Sequence, residues 1–483
     1  MTLSAPLQSL ATRTVRGVFW TGSAFVMQVV TTFVFYRFLP TAQMGQFEWA
    51  LVIVMLLALL CDLGLGSALV QDRHAGEEHF AAAFWLCLTF GSTVTATVVL
   101  LAPTVADLVS PQDTHGFEPV LRGLVLLVPC AAVSGLFRAR LQRELRWRAM
   151  AVAEIGSSVV HAGVAFWLLA TGHGIMSAVH SAVAREAALL LGLAWTARWL
   201  PAPRFGFDAL RRILAFGLNL TGSRCLNYLN SNLARVVIGW SLGMEALGFY
   251  SFAYRLTLMP LVRISTIITR VFFPTFSAIQ QDDALLRRVY VKATQAVALA
   301  YWPALMAVIV FSPQILAFVF EDPSQALWPM RLLALATLVK AVGASVGSIF
   351  LAKGRASWAL YWSVFSVIVL VPSLYLVIDP WGLVGVCSVI AATSVLFLGL
   401  SQHLANRLIN LPYVTYLTSL WRPLLLAGWV GGFSWLGSLW LPDAPLPAAG
   451  ISAAIVLISG LSGLRLCAWD LCLEMWRSAR GES

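Results

Sequence analysis

The sequence predicts an all-α polytopic membrane protein of about fourteen transmembrane helices. Three observations predict it. Apolar runs of 18 or more residues recur along the 483 positions of a chain that is 59% hydrophobic and 11% charged. About 20 residues at 1.5 Å rise span a hydrocarbon core of about 30 Å, so each such run is long enough to cross. Basic residues collect in every second connection between the runs, and the first half of the chain matches the second in the order of its short motifs. A mean hydropathy of +0.81 leaves no stretch with the composition of a soluble domain.

The first span covers 15–38; it is longer than a signal-peptide core and reads as a retained helix. Spans 46–69 and 80–102 follow, joined by a 70–79 loop that holds Arg73. Spans 118–137 and 149–170 flank the stretch "RARLQRELRWRAM" (138–150), and 174–197 closes the first set. After a basic segment at 198–212 come 212–238, 246–273, 289–311, 326–351, 356–378 and 382–405. The last two spans are 415–440 and 447–468. Pro129, Pro260, Pro303 and Pro372 fall inside spans and mark expected kinks.

Assigned alternately to two sides, the connections separate by charge. One side receives 21 of the 32 Lys and Arg, while the opposite loops hold none and carry Asp107, Asp113, Glu245, Glu321, Asp322, Asp379 and Asp443. Short loops rich in Lys and Arg stay in the cytoplasm, so both termini are expected there. Arg138, Arg140, Arg143, Arg146 and Arg148 are first of all a topology signal. Arg138, Leu141, Leu145 and Trp147 also allow a short amphipathic helix at headgroup level in the lipid bilayer. Nucleic acid is not an expected partner.

The seven cysteines are odd in number and lack CxxC spacing, which excludes a disulfide framework or zinc site. No cofactor or metal is expected. No phosphate-cradling glycine loop is present, so direct coupling to ATP hydrolysis is not expected either.

"WTGSAFVMQVV" (20–30) matches "LTGSRCLNYLN" (220–230), and "LPTAQMGQFEWA" (39–50) matches "LGMEALGFYSFA" (242–253), pairing Gly45 with Gly248. "SALVQD" (67–72) matches "SAIQQD" (277–282), and "LFRARLQR" (136–143) matches "IFLAKGR" (349–355). Helices 1–6, in residues 1–200, and helices 7–12, in 201–410, therefore read as two lobes of one orientation, related by a pseudo-two-fold along the membrane normal. Residues 411–483 add two helices and a cytoplasmic tail. Parallel repeats of this kind build transporters that rock one half against the other around a site between them.

Arg224, Arg255 and Lys340 lie deep in their spans, where a lipid-facing cation costs about 2.5–3.5 kcal/mol on insertion scales. Spans seven to twelve contain no Asp or Glu to offset them, which points to a wet cationic cavity or an anionic ligand. At 100° per residue, Asn219, Ser223, Arg224, Asn227, Asn230, Ser231 and Arg235 share one face of the seventh span. The alternative is a polar seam hydrogen-bonded to another helix. Arginine favours phosphate or carboxylate, whose planar oxygen arrays it can fork. In the first half, Asp62, Glu154 and Glu186 are candidate proton or sodium sites. The blander alternative pairs Glu186 with a buried Arg and makes Glu154 a helix cap. His161 and His180 are titratable candidates but read as packing partners.

"TGSAFVMQVVTTFVFYRFLP", "MGQFEWA", "LGLGSALVQDR", "LFRARLQRELRWRAMAVAE", "IGWSLGMEALGFYSFAYRLTLMP" and "FPTFSAIQQD" together resemble the oligosaccharide flippase family. That family is the polysaccharide-transporter branch of the multidrug/oligosaccharidyl-lipid/polysaccharide exporter superfamily. The resemblance runs from about residue 10 to 410 and includes Gln142, Arg143, Glu144, Leu145 and Trp147 of the basic stretch. It implies fourteen helices in two six-helix lobes plus a pair, in a bacterial inner membrane. It also implies passage of an undecaprenyl-diphosphate-linked glycan to the periplasmic leaflet, for surface or exopolysaccharide biosynthesis. A polysaccharide polymerase and export machinery are its implied partners.

Such a substrate carries a diphosphate, sugars and a long apolar tail. Arg224, Arg255 and Lys340, then Arg263 and Arg37, are the candidates for the diphosphate. Asn219, Asn227, Asn230, Tyr228, Tyr250 and Tyr254 are candidates for sugar contacts. A multidrug exporter of the same superfamily is the nearest rival, and it would be expected to place acids in the second lobe. A membrane-embedded polymerase or ligase would need catalytic groups on a substantial periplasmic loop. The longest such loop here is 103–117, and Asp107, Asp113 and His115 have no metal spacing.

Overall fold

A computed structural model describes residues 26–72, 74–109, 114–202, 207–441 and 445–465, and every regular element among them is helical. In chain order these are α1 (Val26–Phe38), α2 (Thr41–Asp62), α3 (Leu65–Gln71), α4 (Glu77–Val109), α5 (Thr114–Leu124) and α6 (Leu127–Arg143). Then come α7 (Trp147–Ala170), α8 (Met176–Ala197), α9 (Phe207–Ser241), α10 (Gly243–Ala278), α11 (Asp283–Val310) and α12 (Ser312–Val319). The last are α13 (Ser324–Gly343), α14 (Val346–Ala352), α15 (Ala356–Leu408), α16 (Tyr413–Ser419), α17 (Trp421–Ser438) and α18 (Pro445–Gly463). Among the described residues, 7 helices are long and apolar enough to cross a membrane. This is a multi-pass membrane protein.

Several spans are built from two pieces for identifiable reasons. The second is α2 and α3, parted at Leu63 (φ 49°) and Gly64 (φ 65°), both left-handed. The fourth is α5 and α6. Pro129 has no N–H to offer the Val125 carbonyl one turn back; that carbonyl accepts from the Val128 N–H at 3.0 Å and from the Thr95 hydroxyl of α4 at 3.2 Å. The expected kink at Pro129 thus acts on the turn before it. The eleventh and twelfth spans are two helices that together make α15, parted by a kink at Gly382 (φ 53°, ψ −139°), beside the expected 379–381 connection.

The chain divides into two compact units, Thr12–Gly248 and Phe249–Ser483, with α10 beginning in the first and continuing in the second. In the first unit the α5–α6 segment is the core: Phe117, Val120, Leu121, Leu124, Val125, Val128 and Leu136 are fully buried. α2, α4 and α8 pack around it, and α7 lies along α8. In the second unit α11 is central, packed by α13 and α17, with α15 against α13. Leu299, Ala307 and Phe311 receive Leu426 and Val430, which is how the penultimate helix attaches. Tyr290 donates to Gln402 at 2.8 Å, and Gln402 to Asn406 at 2.8 Å, a polar chain inside this packing.

Without a hydrophobic drive between helices in lipid, close approach through small residues carries much of the association. The first unit uses it twice. A Cβ on Gly45 would fall 1.7 Å from the Met244 carbonyl oxygen, and one on Gly248 would fall 2.3 Å from that of Thr41. The contact is reciprocal and joins the two segments that the sequence repeat aligns with each other. At the α2–α3 break, a Cβ on Gly64 would lie 2.4 Å from the Gly217 oxygen, and one on Gly217 would lie 2.3 Å from the Leu63 oxygen. There α9 touches α2 backbone to backbone.

Candidate functional site

The glycine crossing at Gly64 and Gly217 sets the height at which α9 presents its polar face. Asn219, Ser223, Asn227 and Ser231 are exposed along that face. Thr221 and Asn232, outside the expected stripe, are the polar residues that pack inward. The stripe therefore serves both purposes: one edge docks against α2 and α3, and the rest stays open. Tyr228 donates to the Val52 carbonyl at 3.0 Å from the docked edge, and Arg235 donates to Asn232 at 2.6 Å. Asn230 is half-buried.

Arg224 stands at the boundary between the two parts. Its Nη1 donates to Asp62 Oδ2 at 3.3 Å and its Nη2 to Ser67 Oγ at 2.6 Å. The Asp62 side chain is 17% exposed and that of Arg224 39%, so the carboxylate is sunk and the guanidinium keeps an open side. Left-handed backbone at Leu63 and Gly64 turns the chain so that Asp62, which ends α2, and Ser67, in α3, both reach the same arginine. Asp62 is packed against α6 as well: a Cβ on Gly135 would lie 2.8 Å from its Oδ1. Further along α6, Arg138 approaches Glu154 of α7 at 3.8 Å.

These positions correct one inference from sequence. Arg224, Arg255 and Lys340 were expected as unpaired cations because spans seven to twelve hold no acid; the counter-ion of Arg224 instead comes from the second span. Arg255 is half-buried and also has an interaction partner. Lys340 differs. It is exposed near the end of α13, and none of the described residues bonds to it. Arg37 is likewise exposed at the end of α1. The Arg263 side chain lies outside the described residues. Tyr254 is half-buried and tilts against Tyr250, their ring centroids 6.0 Å apart. Glu186 is half-buried in α8, and no cation pairs with it among the described residues.

The structure thus joins a proposed phosphate ligand, Arg224, to a proposed ion site, Asp62, and puts Glu154 beside Arg138. Ser67 and Arg138 were missed as site residues. Ser67 stands within the repeat motif "SALVQD" and reaches the site only through the α2–α3 break. Glu48, 2% exposed in α2, was also passed over, although an acid inside an apolar span is itself a signal. Among the described residues, no group of three or more His, Cys, Asp or Glu is placed to hold a metal ion.

Comparison with known proteins agrees with this architecture. The pattern of the polysaccharide biosynthesis protein family matches residues 34–323. The lipopolysaccharide biosynthesis protein WzxC of Escherichia coli (strain K12) is 28% identical over 432 residues, 87% of this chain and 86% of the relative. Among solved structures, the lipid II flippase MurJ in an inward closed conformation superposes with a TM-score of 0.71 at 13% identity, covering 93% of this chain and 99% of the other. An inward-facing multidrug resistance MATE family transporter of the MOP superfamily gives 0.66 at 16% identity, over 80% and 94%. The chain has the fold of these transporters and, by the span and extent of the family match, belongs to the polysaccharide biosynthesis protein family.

Proposed function

We propose that the protein is a flippase that moves an undecaprenyl-diphosphate-linked oligosaccharide from the cytoplasmic to the periplasmic leaflet of a bacterial inner membrane, for surface or exopolysaccharide. The observation that carries this reading is Arg224, held from one side by Asp62 and Ser67 and open on the other, on a helix whose remaining polar face is exposed. A guanidinium in that state binds phosphate oxygens with strong, charge-assisted bonds. Lys340, without a partner among the described residues, supplies a second cation of the kind a diphosphate neutralises. Arg255, Arg263 and Arg37 are further candidates. Asn219, Asn227 and Asn230, with Tyr228 and Tyr254, suit sugar hydroxyls, and Glu186 remains a candidate for ion coupling.

One fold neighbour is a lipid II flippase, and the E. coli relative is named for lipopolysaccharide biosynthesis. We assign a transport rather than a catalytic role, fourteen crossings, both termini in the cytoplasm, and lobes at 1–200 and 201–410 followed by the pair at 411–483. Alternating access then exposes the cationic site first to one leaflet and then to the other. A cation-handling multidrug exporter fits less well, because positive charge at such a site repels its cargo.

The test is an accumulation assay in the native cell. After deletion of the gene, lipid-linked oligosaccharides are expected to pile up on the cytoplasmic face. Wild type should restore passage, and Arg224→Ala with Lys340→Ala should not, at equal membrane levels. Accumulation of unpolymerised units on the periplasmic face would mean that the protein acts after translocation, and would overturn the assignment.

A further inference from the structure

Four charged side chains of alternating sign run across four helices of the first unit. Arg224 of α9 meets Asp62 of α2; Asp62 abuts Gly135 of α6, and Arg138 follows on α6; Arg138 meets Glu154 of α7 at 3.8 Å. Arg138 is the second cation, after Arg224, whose field acts on the Asp62 carboxylate. The Arg138 Nε is buried, and nothing among the described residues accepts from it. A donor that costs free energy while unmet therefore stands on the helix that Asp62 packs against.

The grip of Asp62 on Arg224 is loose. At 3.3 Å the contact is longer than the roughly 2.7–2.9 Å of strong charge-assisted bonds, and it is made by one nitrogen rather than by a fork. The shorter bond, 2.6 Å, goes to the neutral Ser67. Were Arg224 to turn to another anion, Asp62 would not be stranded, because the Arg138 charge already acts on it from the helix that it packs against.

We infer that Asp62 is an exchangeable counter-ion: in the empty protein it occupies Arg224, and a lipid-linked diphosphate takes its place while Asp62 passes to Arg138. Asp62 and Arg138 are thus positioning residues for the anion, and Glu154 balances Arg138 until the exchange. The step moves no covalent bond, and the summed charge of the four residues is unchanged. It also releases one of the side-chain ties between α9 and the α2–α3 break, so that loading loosens a helix contact. This inference rests on the proposed role of Arg224 at the diphosphate.

The experiment measures binding of farnesyl diphosphate to the purified full-length protein in phosphatidylcholine nanodiscs by calorimetry. If Arg224 spends about nine-tenths of its time on Asp62, freeing it tightens apparent binding about tenfold. Asp62→Asn is therefore expected to bind more tightly than wild type, and Asp62→Glu is not. Arg138→Gln should weaken binding several-fold in the wild-type background and have little effect once Asp62 is Asn. A tighter ligand cannot come from a misfolded protein, so the sign of the Asp62→Asn effect keeps the test decisive.

Weaker binding by Asp62→Asn, or an equal cost of Arg138→Gln in both backgrounds, would overturn the exchange while leaving Arg224 in place. Unchanged binding by Arg224→Gln would remove the Arg224 assignment itself, and the exchange with it. Inorganic pyrophosphate binding as tightly as farnesyl diphosphate would make a free diphosphate the ligand and overturn the lipid-linked form.

Discussion

Lys353 donates to the Asp283 carboxylate at 2.7 Å, at the position of the second unit that the sequence repeat aligns with Arg140 of the first. Arg140 there forks Glu77, with both contacts at 2.8 Å. Each acid opens a helix, α4 or α11, and each base ends a two-piece span. The carbonyls of the preceding turns are used in the same way, Ala75 by Arg143 and Gln280 by Lys353. One kind of interaction, recurring inside each unit with its base at an aligned position, ties the ends of helices that are distant in sequence.

Breaking these ties is expected to cost little each. Exposed ion pairs contribute about 0.2–1 kcal/mol, so Asp283→Asn should lower the melting temperature by a few degrees at most. Glu77→Gln should cost more, because Arg140 also lies over the Trp199 ring at 5.1 Å and loses a two-point contact. Reversing the second pair, Asp283→Lys with Lys353→Asp, should recover most of the loss. Thermal unfolding in detergent measures all three, and a reversal no better than the single change would show that the charges do not interact.

The same acids set an acid limit. A hydrogen bond from Arg140, then its charge, holds the Glu77 carboxyl below its ordinary range; a hydrogen bond from Lys353, then its charge, does so for Asp283. For a carboxyl whose folded value is depressed, stability is fully present above the unfolded value and is lost as pH falls through the folded one. Melting temperature should therefore hold from neutrality to the ordinary carboxylate range and decline below it. Glu77→Gln with Asp283→Asn should flatten that decline; an unchanged acid slope would assign it to other groups.

The glycine crossings predict opposite signs on a single helix. Gly217→Ala puts a methyl group 2.3 Å from the Leu63 oxygen, a clash with backbone that no rotamer relieves. Overpacking of this kind costs about 1–3 kcal/mol, and here it also pushes α9 from the α2–α3 break. Gly222→Ala on the same helix meets nothing within 4 Å, and should stabilise by up to about 1 kcal/mol through helix propensity. Equal effects at the two positions would mean that the crossing is not held as described.

Most helices were legible because an apolar run of spanning length reads locally, and each expected span falls on one or two of the described helices. The Gly382 break within α15 was legible for the same reason, since Asp379 and Pro380 interrupt the run. The α2–α3 break was not, because Leu63 and Gly64 sit inside the single apolar run expected at 46–69, where Asp62 reads as a buried charge rather than as a break. Arg224 was found from its depth, but its partner was sought among the helices beside it in sequence. Asp62 lies 162 positions upstream and joins Arg224 only through the glycine crossing, a tertiary fact that helical periodicity does not carry.

Lys340 and Arg224 should separate stability from function. Lys340 is exposed within its span and bonded to nothing described, so its charge is a cost in the empty protein, about 2.5–3.5 kcal/mol where it meets hydrocarbon. Lys340→Met is expected to leave the melting temperature unchanged or raise it, while reducing rescue of the deletion strain. Arg224→Met removes one of the two cations that act on Asp62 and leaves Arg138 to hold the carboxylate. It should abolish rescue while lowering the melting temperature only modestly, and Asp62→Asn added to it should not bring rescue back. A Lys340→Met protein that melts earlier than wild type would show that the ammonium is a structural partner in its own unit, and would remove Lys340 from the candidates for the diphosphate.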